Sequence, residues 1–120
     1  MTTDTVNAVG RVEGSRGIIE MHGQVNRASE TAVGAAYNSA TAGDIDTLVL
    51  VFDDVEYINS TGIALIVGLL AQARAREVEV RASGLSDHYR EIFEITRLAD
   101  FMRIFPDEAS AVADAAVAAH

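Results

Sequence analysis

Apolar positions along the 120-residue chain come as short continuous runs and as longer stretches at helical spacing, and the two kinds alternate. In RVEGSRGIIEMHG, residues 11–23, a Gly-Ser-Arg-Gly turn signal precedes Ile18-Ile19. That pattern predicts a hairpin-like pair of strands, the second ending at Gly23. In QVNRASETAVGAAYNSAT, Asn26 and Ser29 are N-cap candidates ahead of a helix over 27–40, with Gly34 as a weak point. DTLVLVFDDV reads as a strand buried on both faces, central in its sheet and ending near Phe52. Residues 62–74 are apolar almost all round until Gln72 and Arg74, which predicts a helix packed deep against that strand.

Further along, EVEVRAS alternates charged and apolar side chains and predicts a strand near the sheet edge or partly solvated. Ser86 can cap the next helix, in which Tyr89, Ile92, Phe93 and Leu98 share a face. MRIF is a short strand, and Pro106-Asp107-Glu108 opens a last helix that alanines carry to the end. The order ββαβαβαβα implies an α/β sandwich with a parallel or mixed sheet. Residues 1–10 lack periodicity and are expected to be a loose end or a marginal edge strand, leaving residues 11–120 as the domain.

Composition narrows the chemistry. With 49% hydrophobic residues, the chain is long enough to bury one core without staples. Eighteen acidic side chains against 9 basic ones give a net charge of −9, which argues against a broad footprint on nucleic acid or anionic membrane. There is no cysteine, and every basic residue other than histidine is an arginine. Without lysine, Walker-type phosphate loops, Schiff-base catalysis and receiver-type phosphorelays lose a central group. No basic stretch followed by an apolar one opens the chain, so the expected location is the cytoplasm. The longest apolar stretch, 63–71, is roughly half of the ~20 residues a membrane helix needs.

The candidate site is Asn59-Ser60-Thr61-Gly62, between the buried strand and the buried helix. A helix start leaves backbone N–H groups unpaired and favours negative charge. Asn59 or Ser60 can serve simply as the N-cap, worth ~1 kcal/mol. Alternatively, an exposed serine there can accept a phosphate, adding about −1.5 to −2 charge without melting the helix. Asp53 and Asp54 follow an apolar strand, where Mg²⁺ ligands or catalytic carboxylates are found in α/β proteins, but no basic partner motif accompanies them. They are expected to cap a turn, shape an acidic surface or meet a partner's arginine. His22, His88 and His120 fall in separate elements without metal-ligand spacing, and no G-x-S-x-G surrounds Ser60. Gly68 fits no dinucleotide fingerprint and is expected to mark close packing.

The stretch from Asp53 to Gly62 resembles the STAS domain, whose strand-to-helix junction reads I-D-S-[ST]-G. HGQVN, His22 to Asn26, is similar to the family's G-E-L-D, and EIFEITRLADFMRIF is similar to its closing helix. The resemblance spans nearly the whole chain and implies a single-domain sandwich with a mixed four- or five-stranded sheet and about four helices. It further implies an anti-sigma factor antagonist that binds an anti-sigma factor with serine kinase activity and is released when Ser60 is phosphorylated. The partner surface carried over comprises Gly23, Asn26, Asp54, Asn59, Ser60, Thr61 and Gly62. Two carboxylates of the family's site are amides here, Asn59 and Asn26. They favour the alternative of a scaffold STAS module working without phosphorylation. A phosphatase and a second copy of the chain are carried as further partners. No cofactor, metal, nucleic acid, membrane or enzymatic role is expected.

Overall fold

The computed structural model describes residues 7–112. Strands β1 (Ala8–Glu13) and β2 (Arg16–Val25) form an antiparallel hairpin whose turn uses Gly14 at φ 65. A 3₁₀ turn (Arg27–Ser29) leads into α1 (Glu30–Ala40), followed by β3 (Thr47–Ile58), α2 (Ser60–Ala75), β4 (Glu79–Ser83) and α3 (Asp87–Ile95). A second 3₁₀ turn (Leu98–Phe101) precedes β5 (Arg103–Phe105), and residues 108–112 are again helical. The sheet order is β1-β2-β3-β4-β5, with every pair after the hairpin parallel. A parallel sheet laid down in one direction with right-handed crossovers puts its connecting helices on one face. Accordingly Val33 of α1, Ile66 and Leu69 of α2, and Phe93 of α3 share one core with Ile19, Leu48, Leu50 and Ala82. Phe52 and Phe93 meet edge to face there, centroids 5.9 Å apart.

On the opposite face lie helical residues 108–112, where Ala111 packs on Ile18, Val49 and Val51. Beneath it lies Arg81, 2% exposed. Its Nε donates to Glu79 at 2.8 Å, its Nη1 donates to the Ala111 carbonyl at 2.9 Å, and its guanidinium stacks on Phe105. A buried charge is tolerable only when paired and hydrogen-bonded in this way. The hydrogen bond from Arg81 holds the Glu79 carboxyl below its ordinary range. Arg11 of β1 binds Glu13, Glu20 and Glu108, which ties the final helix to the hairpin.

Several expectations change. Of the two forms expected for residues 1–10, the edge strand is the one seen from Ala8 on, where Ala8, Val9 and Gly10 pair with Met21, Glu20 and Ile19, while residues 1–6 lie outside the described residues. Gly23 does not end β2. It sits at φ 68 beside a register shift, which lets the strand bend and run on to Val25. β3 does not end near Phe52 but continues six residues further, still paired with β2 across two register shifts. The segment EVEVRAS is the strand near the sheet edge that was expected, one in from β5, with Glu77 and Glu79 exposed; beyond them Val80, Arg81, Ala82 and Ser83 are buried. Gly68 marks no close packing, since a Cβ there would meet nothing within 4 Å. Among the described residues no helix is long and apolar enough to cross a membrane.

Candidate functional site

The site stands where two parallel strands end side by side. Val25 of β2 and Ile58 of β3 are register partners, so the next residues, Asn26 and Asn59, leave the sheet together at its carboxyl edge. This is where open α/β sheets present their working groups. Each asparagine is an N-cap. Asn26 Oδ1 accepts from the Ala28 N–H at 2.9 Å, and Ser29 Oγ accepts from the Asn26 N–H at 3.0 Å, completing a capping box. Asn59 Oδ1 accepts from the Gly62 N–H at 2.8 Å, and the Asn59 N–H donates to the Val25 carbonyl at 3.2 Å.

The choice of cap decides the chemistry of the next residue. Because Asn59 caps α2, Ser60 occupies the first helical position, exposed, and its hydroxyl makes no hydrogen bond among the described residues. Thr61 beside it is exposed as well. The N–H groups of Ser60 and Thr61 remain among the orphan donors of the helix start, since Asn59 takes those of Gly62 and Ile63. With no acidic residue in its first turn, the positive end of α2 is uncompensated by α2's own side chains. An added phosphate here meets backbone donors and a favourable dipole.

Gly62 is buried and faces the sheet, so its part is to seat the helix. A Cβ there would stand 2.1 Å from the Val25 carbonyl oxygen. Gly23 and Asp54 lie lower on the β2–β3 ladder, as neighbours: Gly23 pairs with Val55, and His22 with Asp54. The Asp54 carboxylate is 3.3 Å from His22 Nδ1. Asp54 lies four positions before Ile58 along the strand, roughly 13 Å, so it flanks the helix start without belonging to it. Asp53 and Asp54 cap no turn, because both are within β3.

Sequence reasoning placed Tyr89 only on an apolar face and missed its hydroxyl. That hydroxyl accepts from the Ile58 N–H at 2.8 Å and lies 3.4 Å from the Ile58 carbonyl, so α3 fixes the last strand residue before the cap. The available signal was a tyrosine at a position where phenylalanine would bury as well. Tyr89→Phe is expected to lose about 1–3 kcal/mol in urea unfolding, since it strands a buried N–H. In amide exchange the loss should concentrate at Ile58 and Asn59, and uniform exchange would sink this assignment.

The STAS domain family model matches residues 7–111, and the chain belongs to that family. Among curated relatives, an anti-sigma-B factor antagonist of Listeria monocytogenes is 41% identical over 51 residues, covering 42% of this chain and 45% of that protein. The chain thus spans about half the length of the curated relatives it matches. Among solved structures, the anti-sigma factor antagonist SpoIIAA in its unphosphorylated form superposes with TM-score 0.70 at 15% identity, over 91% of this chain and 96% of that one. The Bacillus SpoIIAA in the phosphorylated form gives TM-score 0.67 at 18% identity, over 86% and 93%. A sulfate transporter family protein from Wolinella succinogenes gives TM-score 0.77 at 17% identity, over 88% of each chain. At these identities the solved structures speak for the fold alone.

Proposed function

We propose that this domain is an anti-sigma factor antagonist: it binds an anti-sigma factor through the surface around Ser60 and releases it when that serine is phosphorylated. The observation that carries the reading is the unbonded, exposed Ser60 hydroxyl at the start of α2, freed by Asn59 taking the cap. The names of the curated relatives point the same way. SpoIIAA, which has a similar fold, has solved structures in an unphosphorylated and a phosphorylated form. In this reading the domain has no chemistry of its own. The partner is a serine kinase that brings ATP, a phosphatase reverses the mark, and the exchange takes place in the cytoplasm.

Incubating the protein with its cognate anti-sigma kinase and Mg-ATP should add roughly 80 Da, the mass of one phosphoryl group, on the peptide holding Ser60. Ser60→Ala should gain nothing. An unmodified wild-type mass after partner binding has been demonstrated would end the switch reading.

A second reading, a scaffold STAS module that works unphosphorylated, draws on Asn26 and Asn59. Both amides serve as caps, Asn26 of the 3₁₀ turn before α1 and Asn59 of α2, so each start is closed without a carboxylate at that position.

A further inference from the structure

β3 is twelve residues long, but β4 accompanies it for only five, from Thr47 to Val51. β2 pairs with it to the end. Beyond Val51 the side of β3 away from β2 therefore loses its strand neighbour. The departure of β4 is fixed by Gly84, at φ 75, whose Cα lies so near Asp53 that a Cβ would approach the Asp53 nitrogen to 2.7 Å. At the far end, the Tyr89 hydroxyl, from the helix that follows β4, serves both the N–H and the carbonyl of Ile58. Between these two stops no strand among the described residues lies along Asp54, Val55, Glu56 and Tyr57 on that side, about 13 Å of backbone. An open edge of this kind is a template for strand addition.

We propose that this edge receives an extended, basic segment of a partner protein as an added strand, with Asp54, Glu56 and Asp53 selecting its charge. Asp53, Asp54, Glu56 and Tyr57 are exposed, and Tyr57 is 53% exposed. His22 Nδ1 lies 3.3 Å from the Asp54 carboxylate. The charge pattern also chooses between occupants. A second copy pairing edge to edge would bring like carboxylates across from each other, which is destabilising, whereas arginine or lysine at alternate positions of an incoming strand meets opposite charge. The backbone supplies affinity, and the carboxylates supply selection. The inference does not depend on the switch at Ser60: a basic strand gains, if anything, from negative charge two residues beyond Ile58.

The test uses the full chain, isotopically labelled, and a short capped peptide of alternating arginine and valine. Titration should shift and slow the exchange of amides centred on Asp54 to Tyr57. N-methylating alternate backbone nitrogens of the peptide, which blocks strand pairing and leaves its charge, should weaken binding at least about tenfold. Combining Asp53→Asn, Asp54→Asn and Glu56→Gln should weaken it by about tenfold as well, while Ser60→Asp should leave it equal or tighter. Equal binding of the N-methylated peptide would reduce the effect to diffuse charge and overturn the proposal. Shifts confined to other surfaces, or no binding, would overturn it also.

Discussion

Gly62→Ala is expected to destabilise the domain by about 3 kcal/mol. Inside a helix this change normally gains roughly 0.5–1 kcal/mol, because glycine loses more backbone freedom on folding. Here the new methyl group would come 2.1 Å from the Val25 carbonyl oxygen and 2.9 Å from Ile58 Cγ2. Neither neighbour can swing aside: the first is backbone in β2, and the second belongs to a buried strand end. The helix must lift, and overpacking of this kind costs about 1–3 kcal/mol or more, which outweighs the propensity gain. Gly34→Ala in α1 is the control, since nothing lies within 4 Å of its added Cβ and the gain should appear undiminished. Urea unfolding of both variants should give opposite signs. If Gly62→Ala proved neutral or stabilising, the close seat of α2 on β2 would be wrong, and with it the placement of Ser60.

Ser60→Asp is expected to leave the fold intact and to weaken binding of the cognate anti-sigma factor by about 100-fold, close to 3 kcal/mol. A carboxylate at the first position of α2 suits the helix dipole and should stabilise by about 0.3–1 kcal/mol. The same charge, exposed where a partner must desolvate the surface, opposes docking because a buried unpaired charge is costly. Ser60→Ala removes a hydroxyl that bonds to nothing and should bind as the wild type does. Calorimetric titration with all three proteins separates the two readings of function: unchanged affinity for Ser60→Asp favours the scaffold, and a selective loss favours the switch.

The alternation of strands and helices was legible because each element has a strong period or a clear cap. Ser86 accepting from the Tyr89 N–H and Asn26 closing a capping box are local events, settled within four residues. β3 was read short for a physical reason. Its second half, Asp53 to Tyr57, lies across two register shifts, so the inward and outward positions lose their regular alternation and the acidic residues look like a loop. β4 was legible as a strand near the edge, but the burial of Arg81 was not, because glutamate and arginine alternate there with valine. What makes its burial tolerable is the bond to the exposed Glu79 and the Ala111 carbonyl of a helix thirty residues later in the chain. Gly68 was assigned to close packing, while the glycine that does pack closely, Gly62, had been placed on the partner surface; both are glycines of one helix, and only the sheet beneath distinguishes them.

By itself the sequence determined the family, the order of elements and the presence of a hydroxyl at a helix start, since these depend on periodicity and on residues next to one another. Whether Asn59 or Ser60 would be the cap was undecided at that level, because both side chains can accept from the same backbone donors. The tertiary structure decided it. Pairing of Val25 with Ile58 and the anchor from Tyr89 bring the chain out of the sheet with Asn59 extended, so the amide closes the helix and the serine hydroxyl is left to solvent.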